Sequence, residues 1–361
     1  MRTATLLDAA RRGDEGAFER LVEPHRRELH AHCYRMLGSL QDAEDAFQES
    51  QLRAWRGLPR FDGRSSLRTW LYRIATNASL DVIGKRPKRA LPIDLGPASD
   101  PFDGPGEPLV ETVWIEPYPD EQLGLEDGYY SPDARYEARE SVELAFVAAV
   151  QHLPATQRAV LIMREVLGFS AKEVADSLET SVASVNSALQ RARKTVEDKM
   201  PAESQQATLR ALGDSKVEKI VGRYMDALGS ADVEAVVGML AEDAAWSMPP
   251  AATWYRGERL PDFLRFGPLS GAWRWRHVPA HVNGQLAVGV YAWDEAAGTH
   301  LPFALDVITL QGDRIAEVTA FIVRTTDLPD RDAFRRWPEQ PLDPVRTEAV
   351  FGRAGLPASV D

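Results

Sequence analysis

Between residues 91 and 140 the chain carries eight prolines, and thirteen acidic residues stand there against two basic ones. Such a composition neither extends a helix nor pairs as a central strand. Fifty residues of this kind inside 361 divide the chain into modules, each of which must bury a core of its own. The formal charge of −12 is therefore unevenly spread. Residues 1–90 hold 17 Lys+Arg against 12 Asp+Glu, residues 141–200 hold 7 of each, and residues 201–361 hold 16 against 22. The negative total thus leaves a nucleic-acid partner open for the first two modules. The longest apolar run, Leu144 to Val150, is far too short for a membrane helix. The opening MRTATLLDAARRGDE meets charge before a signal-peptide core forms, and the lone Cys33 excludes an intrachain disulfide. A cytoplasmic, reducing setting without a membrane partner is expected.

The first module reads as helical. Phe18, Leu21, Val22, Leu29, Cys33, Met36 and Leu37 recur at helical spacing, with Pro24 opening a second helix. After Gly38–Ser39, LQDAEDAFQESQLRAW turns Ala43, Phe47 and Trp55 inward and Asp42, Asp45, Gln48 and Glu49 outward. The loop FDGRSS then leads into SLRTWLYRIATNASLDVIGKRPKR. There Leu67, Trp70, Leu71, Ile74 and Ala78 form the expected buried stripe, and Arg68, Arg73, Asn77, Asp81, Lys85 and Arg86 lie elsewhere. A helical bundle with a basic end follows.

The second module is more specific. Ser170 with Glu173 spells a capping box, and Val174, Ala175 and Leu178 give its helix a buried face. Glu179–Thr180–Ser181 makes a tight joint to a helix with Val182, Val185, Leu189 and Ala192 inward. This order is that of a helix-turn-helix, whose second helix enters the major groove. Ser181, Ser184, Asn186, Ser187 and Gln190 are suited to base edges, and Arg191, Arg193 and Lys194 to phosphates.

These stretches resemble the extracytoplasmic-function (ECF) sigma factors of bacterial RNA polymerase. LGSLQDAEDAFQESQLRAW is similar to the core-binding helix of sigma region 2, SSLRTWLYRIATNASLD to the part that melts and reads the −10 element, and LPATQRAVLIMREVLGFSAKEVADSLETSVASVNSALQRAR to region 4, which reads the −35 element. Asn186 and Ala188 stand where many members carry Lys and Arg. The resemblance implies polymerase contacts at Asp42, Asp45, Gln48, Glu49 and Arg53, with the clamp and flap as partners. It implies −10 contacts at Arg68, Arg73, Asn77, Asp81, Lys85 and Arg86, and −35 contacts across the helix-turn-helix. It also places Trp70 and Tyr72 behind the FDGRSS loop that holds a flipped base, although Trp70 falls in the apolar stripe and reads as core. The domains then run 10–90 (region 2), 91–134 (acidic linker), 135–200 (region 4), 212–330 (an extra domain) and 331–361 (a tail).

In the extra domain, Lys216–Leu228, Val233–Leu240 and RGERLPDFLRF read as helices, AAWSM as a short strand, and LAVGVYAW, FALDVITL and RIAEVTAFIV as period-two strands, the last two joined at Gln311–Gly312–Asp313. Three helices and a curled antiparallel sheet give an α+β cone with a pocket. This resembles the SnoaL-like fold, which one ECF subgroup carries at its C-terminus, with a Trp/Pro-rich linker motif that VWIEPYPD (Val113 to Asp120) resembles. Trp114, Pro117 and Tyr118 are the expected docking residues. Trp246, Tyr255, Arg256, His281 and Asp306 are the candidate pocket, with a small molecule of unknown identity as its ligand. No nucleophile triad, metal-ligand spacing or glycine-rich phosphate loop is present, so neither catalysis, metal nor cofactor is expected. The expected function is a sigma factor regulated in cis by its extra domain. The alternative is a helix-turn-helix regulator fused to a small-molecule-binding or catalytic SnoaL-like domain.

Overall fold

Two units emerge in the computed structural model, which describes residues 3–103, 114–123, 132–326 and 340–361. The chain enters each unit twice: residues 1–88 and 122–200 build the first, and residues 89–121 and 201–361 the second. Val113 and the parts of the expected linker and tail at 104–113, 124–131 and 331–339 lie outside the described residues.

The first unit is all helix: α1 (Thr3–Arg11), α2 (Glu15–Val22), α3 (Arg26–Leu37), α4 (Leu40–Gly57), α5 (Leu67–Ile83), α6 (Pro132–Glu140), α7 (Leu144–Gln151), α8 (Ala155–Leu161), α9 (Ala171–Ser177) and α10 (Val182–Glu197). Its boundaries follow local chemistry. Pro24 sits in the short turn before α3, and Gly38 ends α3 at φ 66°, a conformation glycine takes without steric cost. Ser39 and Ser66 then cap α4 and α5 through their hydroxyls. From Leu29 to Leu37 every residue of α3 is buried, because α4 and α5 pack against it together with α7 and α8. Its polar side chains are consequently paired. His32 Nε2 lies 2.9 Å from Thr76 Oγ1, and burial holds its pKa down to about 3, so the ring is neutral. Arg35 donates to the carbonyl and hydroxyl of Ser141 at 3.1 and 2.7 Å. Arg158 on α8 donates to the carbonyl of Met36 at 2.5 Å, to Gln151 Oε1 at 2.6 Å and to the carbonyls of Gln151 and Leu153. These charge-assisted bonds fasten the second helical module onto the last turn of α3, where the helix dipole favours a cation.

The second unit holds α11 (Gln205–Leu212), α12 (Asp214–Gly229), α13 (Val233–Val237), β1 (Leu240–Ser247), β2 (Trp254–Arg256), α14 (Leu260–Phe266), β3 (Trp275–Val282), β4 (Gln285–Asp294), β5 (Thr299–Gln311), β6 (Arg314–Ile322) and α15 (Pro344–Thr347). The six strands lie in the order β2-β1-β6-β5-β4-β3. The sheet is mixed where an antiparallel one was expected, because β1 pairs parallel with β6 through Trp246 and Val318. Ile220, Tyr224 and Leu228 of α12 and Phe263 of α14 share a core with Trp246, Val288, Ile308 and Val318 of the sheet.

One expectation about connecting chain is corrected. The described part of the tail is packed: Val360 pairs with His300, Phe351 lies edge-on to Tyr291 at 5.3 Å, and Leu356 fills the space at Gly289, where a Cβ would meet its Cδ1 at 3.0 Å. Of the expected linker, residues 91–103 and 114–121 belong to this unit, in keeping with the docking expected of Trp114, Pro117 and Tyr118, and residues 122–123 and 132–134 belong to the first. Buried apolar side chains such as Ile115 and Tyr118 hold the segment down.

Candidate functional site

On α4 the outward face is smaller than the spacing implied. Asp45 and Gln48 are exposed and Leu52 is half exposed, beside a groove lined by Phe18, Glu19, Gln51 and Trp55. Asp42, expected on that face, is only 2 % exposed. It sits in the first turn after the Ser39 cap and pairs with Arg86 at 2.6 Å. This is a structural ion pair, and it also ties up Arg86, an expected DNA contact. Glu49 pairs with Arg53 at 2.7 Å, and Arg53 pairs with Asp81 at 2.8 Å. An expected polymerase contact and an expected −10 contact thus hold each other.

The buried face of α5 is rotated from the expected stripe. Tyr72, Ala75, Thr76 and Ser79 are buried with Leu71 and Ala78, whereas Leu67, Trp70 and Ile74 are only half-buried. Trp70 packs against Phe61, their tilted rings 5.0 Å apart at the centres, in a small core with α1 and α2, as its place in the stripe implied. Tyr72 is wholly buried and donates to Glu28 at 3.1 Å, so it is no stacking platform for a base in this arrangement. The second helical module covers part of α5. Arg68 lies 4.9 Å from the ring centres of both Tyr72 and Phe169, Thr69 donates to Glu173 at 3.3 Å, and Arg73 pairs with Glu179 at 2.8 Å. Asn77 is half-buried and Lys85 is exposed.

The helix-turn-helix stands as read. Ser170 and Glu173 make both bonds of the capping box, and Glu179 at φ 53° makes the turn. The cap also holds the Glu173 carboxyl below its usual range, chiefly through the Ser170 amide. Val185, Ala188, Leu189 and Ala192 are buried, whereas Val182, expected inward, is 43 % exposed at the first turn. Ser181, Ser184, Asn186, Ser187, Gln190, Arg191, Arg193 and Lys194 are all exposed. Ser181 is spent as the cap of α10, its Oγ accepting from the Ser184 amide at 3.1 Å. Arg193 pairs with Glu165 at 2.7 Å, and Arg191 donates to Ser187 at 2.7 Å.

In the second unit the linker motif is fastened to the β3–β4 turn. Asn283 and Gly284, at φ 56° and 66°, form the two-residue turn that suits an Asn-Gly pair. The Asn283 amide donates to the Tyr118 carbonyl at 2.7 Å, the Tyr118 amide to Asn283 Oδ1 at 2.9 Å, and the Gly284 amide to Asp120 at 2.7 Å. Pro117 is buried there, and Trp114 is half-buried in a bridge to Ala90, with Arg89 donating to its carbonyl at 2.5 Å. Earlier in the segment, the Ser99 amide donates to the Trp254 carbonyl at 2.7 Å and Trp254 Nε1 to Gly96 at 3.0 Å, which covers the edge strand β2.

Trp246, Tyr255 and Asp306 line a cavity of about 190 Å³ between the sheet and α14. Arg256 does not: it is exposed and pairs with Asp243 at 3.0 Å. Nor does His281, which faces outward near the end of β3. His277 lines the cavity instead, with burial holding its pKa at about 4. It was missed because the run from Trp275 to Val282 does not alternate cleanly and contains Pro279, which an edge strand tolerates. Asp306 is buried and accepts from the Tyr224 hydroxyl at 2.9 Å, and burial raises its pKa to about 7.

Comparison with known proteins agrees with this anatomy. Family models for Sigma-70 region 2, Sigma-70 region 4 and a SnoaL-like domain match residues 21–89, 143–196 and 221–318. The ECF RNA polymerase sigma factor SigG of Mycobacterium tuberculosis is 42% identical over 318 residues, covering 87% of this chain and 83% of its own. The RNA polymerase sigma-H factor of Pseudomonas aeruginosa is 29% identical over 192 residues, 53% of this chain and 90% of its own. The crystal structure of the M. tuberculosis extracytoplasmic function sigma factor SigJ shares the fold, with a TM-score of 0.53 at 22% identity over 85% of this chain and 95% of that one.

Proposed function

This chain belongs to the ECF RNA polymerase sigma factors, and from that membership we propose how it engages polymerase and promoter. It directs promoter-specific initiation, and a SnoaL-like domain is fused to its sigma regions. The core enzyme, through its clamp, meets the exposed face of α4 at Asp45, Gln48 and Leu52. The −35 element meets α10 through Asn186, Ser187 and Gln190, with Arg191 and Lys194 on phosphates. The −10 element meets α5 through Asn77 and Lys85, joined by Arg68 and Arg73 once these leave Phe169 and Glu179. The observation that carries this reading is the capping-box turn followed by a helix whose exposed residues from Ser184 to Lys194 are all polar or basic. The second unit regulates in cis, because the chain between the two sigma regions is bonded into it. Its aromatic cavity takes a small-molecule ligand. Transcription reconstituted from purified core polymerase and the full chain, on promoters enriched after overexpression, tests the assignment. Absence of core-dependent initiation overturns it, and DNA binding without core binding favours the plain regulator.

A further inference from the structure

One end of the interregion segment reaches the mouth of the cavity. Pro101 lines it, Phe102 packs on Phe266 at 5.4 Å between ring centres, and Arg259 pairs with Asp100 at 3.0 Å. Phe102 and Phe266 are nevertheless 71% and 61% exposed as residues. An apolar pair left in water at a cavity mouth gains by closing further over apolar contents. Inside, Trp246, Tyr255, Phe263, Trp275 and Phe303 supply flat walls, and the polar groups are few, chiefly Asp306 and His277. The Asp306 carboxyl accepts one hydrogen bond among the described residues, from Tyr224 to Oδ2, which leaves its other oxygen for a ligand. A cavity of about 150 Å³ holds benzene, so about 190 Å³ admits one ring with a short substituent.

Resting on the reading of the second unit as a regulator in cis, we propose that this cavity binds a neutral single-ring molecule with one hydrogen-bonding group, and that residues 96–103 are its movable rim, which tightens when the cavity is filled. The polar group of the ligand bonds to Asp306, and its ring lies among the tryptophans. An ammonium would have to ionise the buried Asp306 carboxyl and a carboxylate would meet it without a cation among the lining residues, so either ion gives up hydration that these mostly apolar walls do not repay. The rim belongs to a segment that leaves the first unit at residue 88 and returns at residue 122. Occupancy therefore changes how tightly the chain between region 2 and region 4 is held.

The test uses the full chain and three probes of one ring size: acetophenone, benzoate and benzylamine. Acetophenone should bind saturably, at least tenfold more tightly than the two ions, and slow hydrogen exchange at the Ser99 amide several-fold. Phe102→Ala with Arg259→Ala, both at the surface, should still bind acetophenone saturably but several-fold more weakly, and lose the slowing. Ala320→Leu, which fills the cavity, should lose both. No saturable binding to the wild-type chain, tighter binding of either ion, or binding with unchanged exchange over residues 96–103 each overturns the proposal. Transcription by the unliganded chain with core polymerase, measured in parallel, tests the sigma-factor reading separately. Its absence overturns that reading while the binding result stands on its own.

Discussion

Arg158 is a buried cation with four acceptors and no carboxylate among the partners described above. Burial lowers its pKa to about 10, so it stays charged at neutral pH. Arg158→Leu keeps apolar bulk but orphans the carbonyls of Met36, Gln151 and Leu153. It should cost about 2–4 kcal/mol in chemical denaturation of the first unit. A loss below about 0.5 kcal/mol would show that these bonds are replaced by water. Asp306 gives a pH signature. Its carboxyl ionises near 3.8 when unfolded and at about 7 when folded. Between those values the folded chain holds a proton that the unfolded chain has lost, so stability falls as pH rises through this window and levels off above it. His277, held at about 4, acts oppositely and loses stability as pH falls below 6.5. The informative quantity is therefore a difference: the stability of Asp306→Asn minus that of the wild type should climb by about 2–4 kcal/mol from about pH 4 to pH 7. A flat difference in urea melts across that range contradicts the buried, protonated carboxyl.

Among the helices, the structure changes which substitutions test polymerase binding. Reversing Asp42 would break its pair with Arg86, and reversing Glu49 would place two cations together at Arg53. Asp45→Arg with Leu52→Arg spares both pairs and should lower core affinity at least tenfold, since removing a buried interface partner costs about 2–5 kcal/mol. Full co-purification of the folded double variant with core polymerase rejects α4 as the contact. On α10, Arg191→Ala with Lys194→Ala should weaken promoter binding for all sequences and reduce the slope of log affinity against log salt by about one per lost phosphate contact. An unchanged slope displaces these residues from the backbone. The helix-turn-helix was legible because capping and apolar spacing are local, each settled within a few residues of Ser170 and Ser181. The buried face of α5 was not, because helices from two distant parts of the chain cover it and Tyr72, Thr76 and Ser79 become interior without an apolar stripe. The parallel pairing of β1 with β6 joins residues far apart in sequence, and nothing near Trp246 announces Val318. Trp114, Pro117 and Tyr118 announced a docking motif, but their partner turn at Asn283–Gly284 carried only the ordinary sign of a hairpin.

At the level of the whole chain, removing residues beyond 200 does not yield a clean two-region sigma factor. It strips the apolar side chains of Ile115 and Tyr118 of the unit that buries them. The bare truncation should therefore lose solubility, bind a hydrophobic dye, and transcribe at a rate different from the full chain. A second truncation with residues 89–121 replaced by a Gly/Ser linker should recover solubility and report the intrinsic activity of the two regions. Identical solubility and transcription from both truncations and the full chain would mean that the segment carries no regulatory information. The double entry of the chain into each unit also sets an order in time. A ribosome adds roughly 5–20 residues per second, and domains fold as they emerge. Residues 89–121 are made before α10, whereas the strands that hold them, and Val360 behind those strands, come last. For an interval on the order of ten seconds or more, every newborn copy has both sigma regions complete and nothing yet to clasp the chain between them.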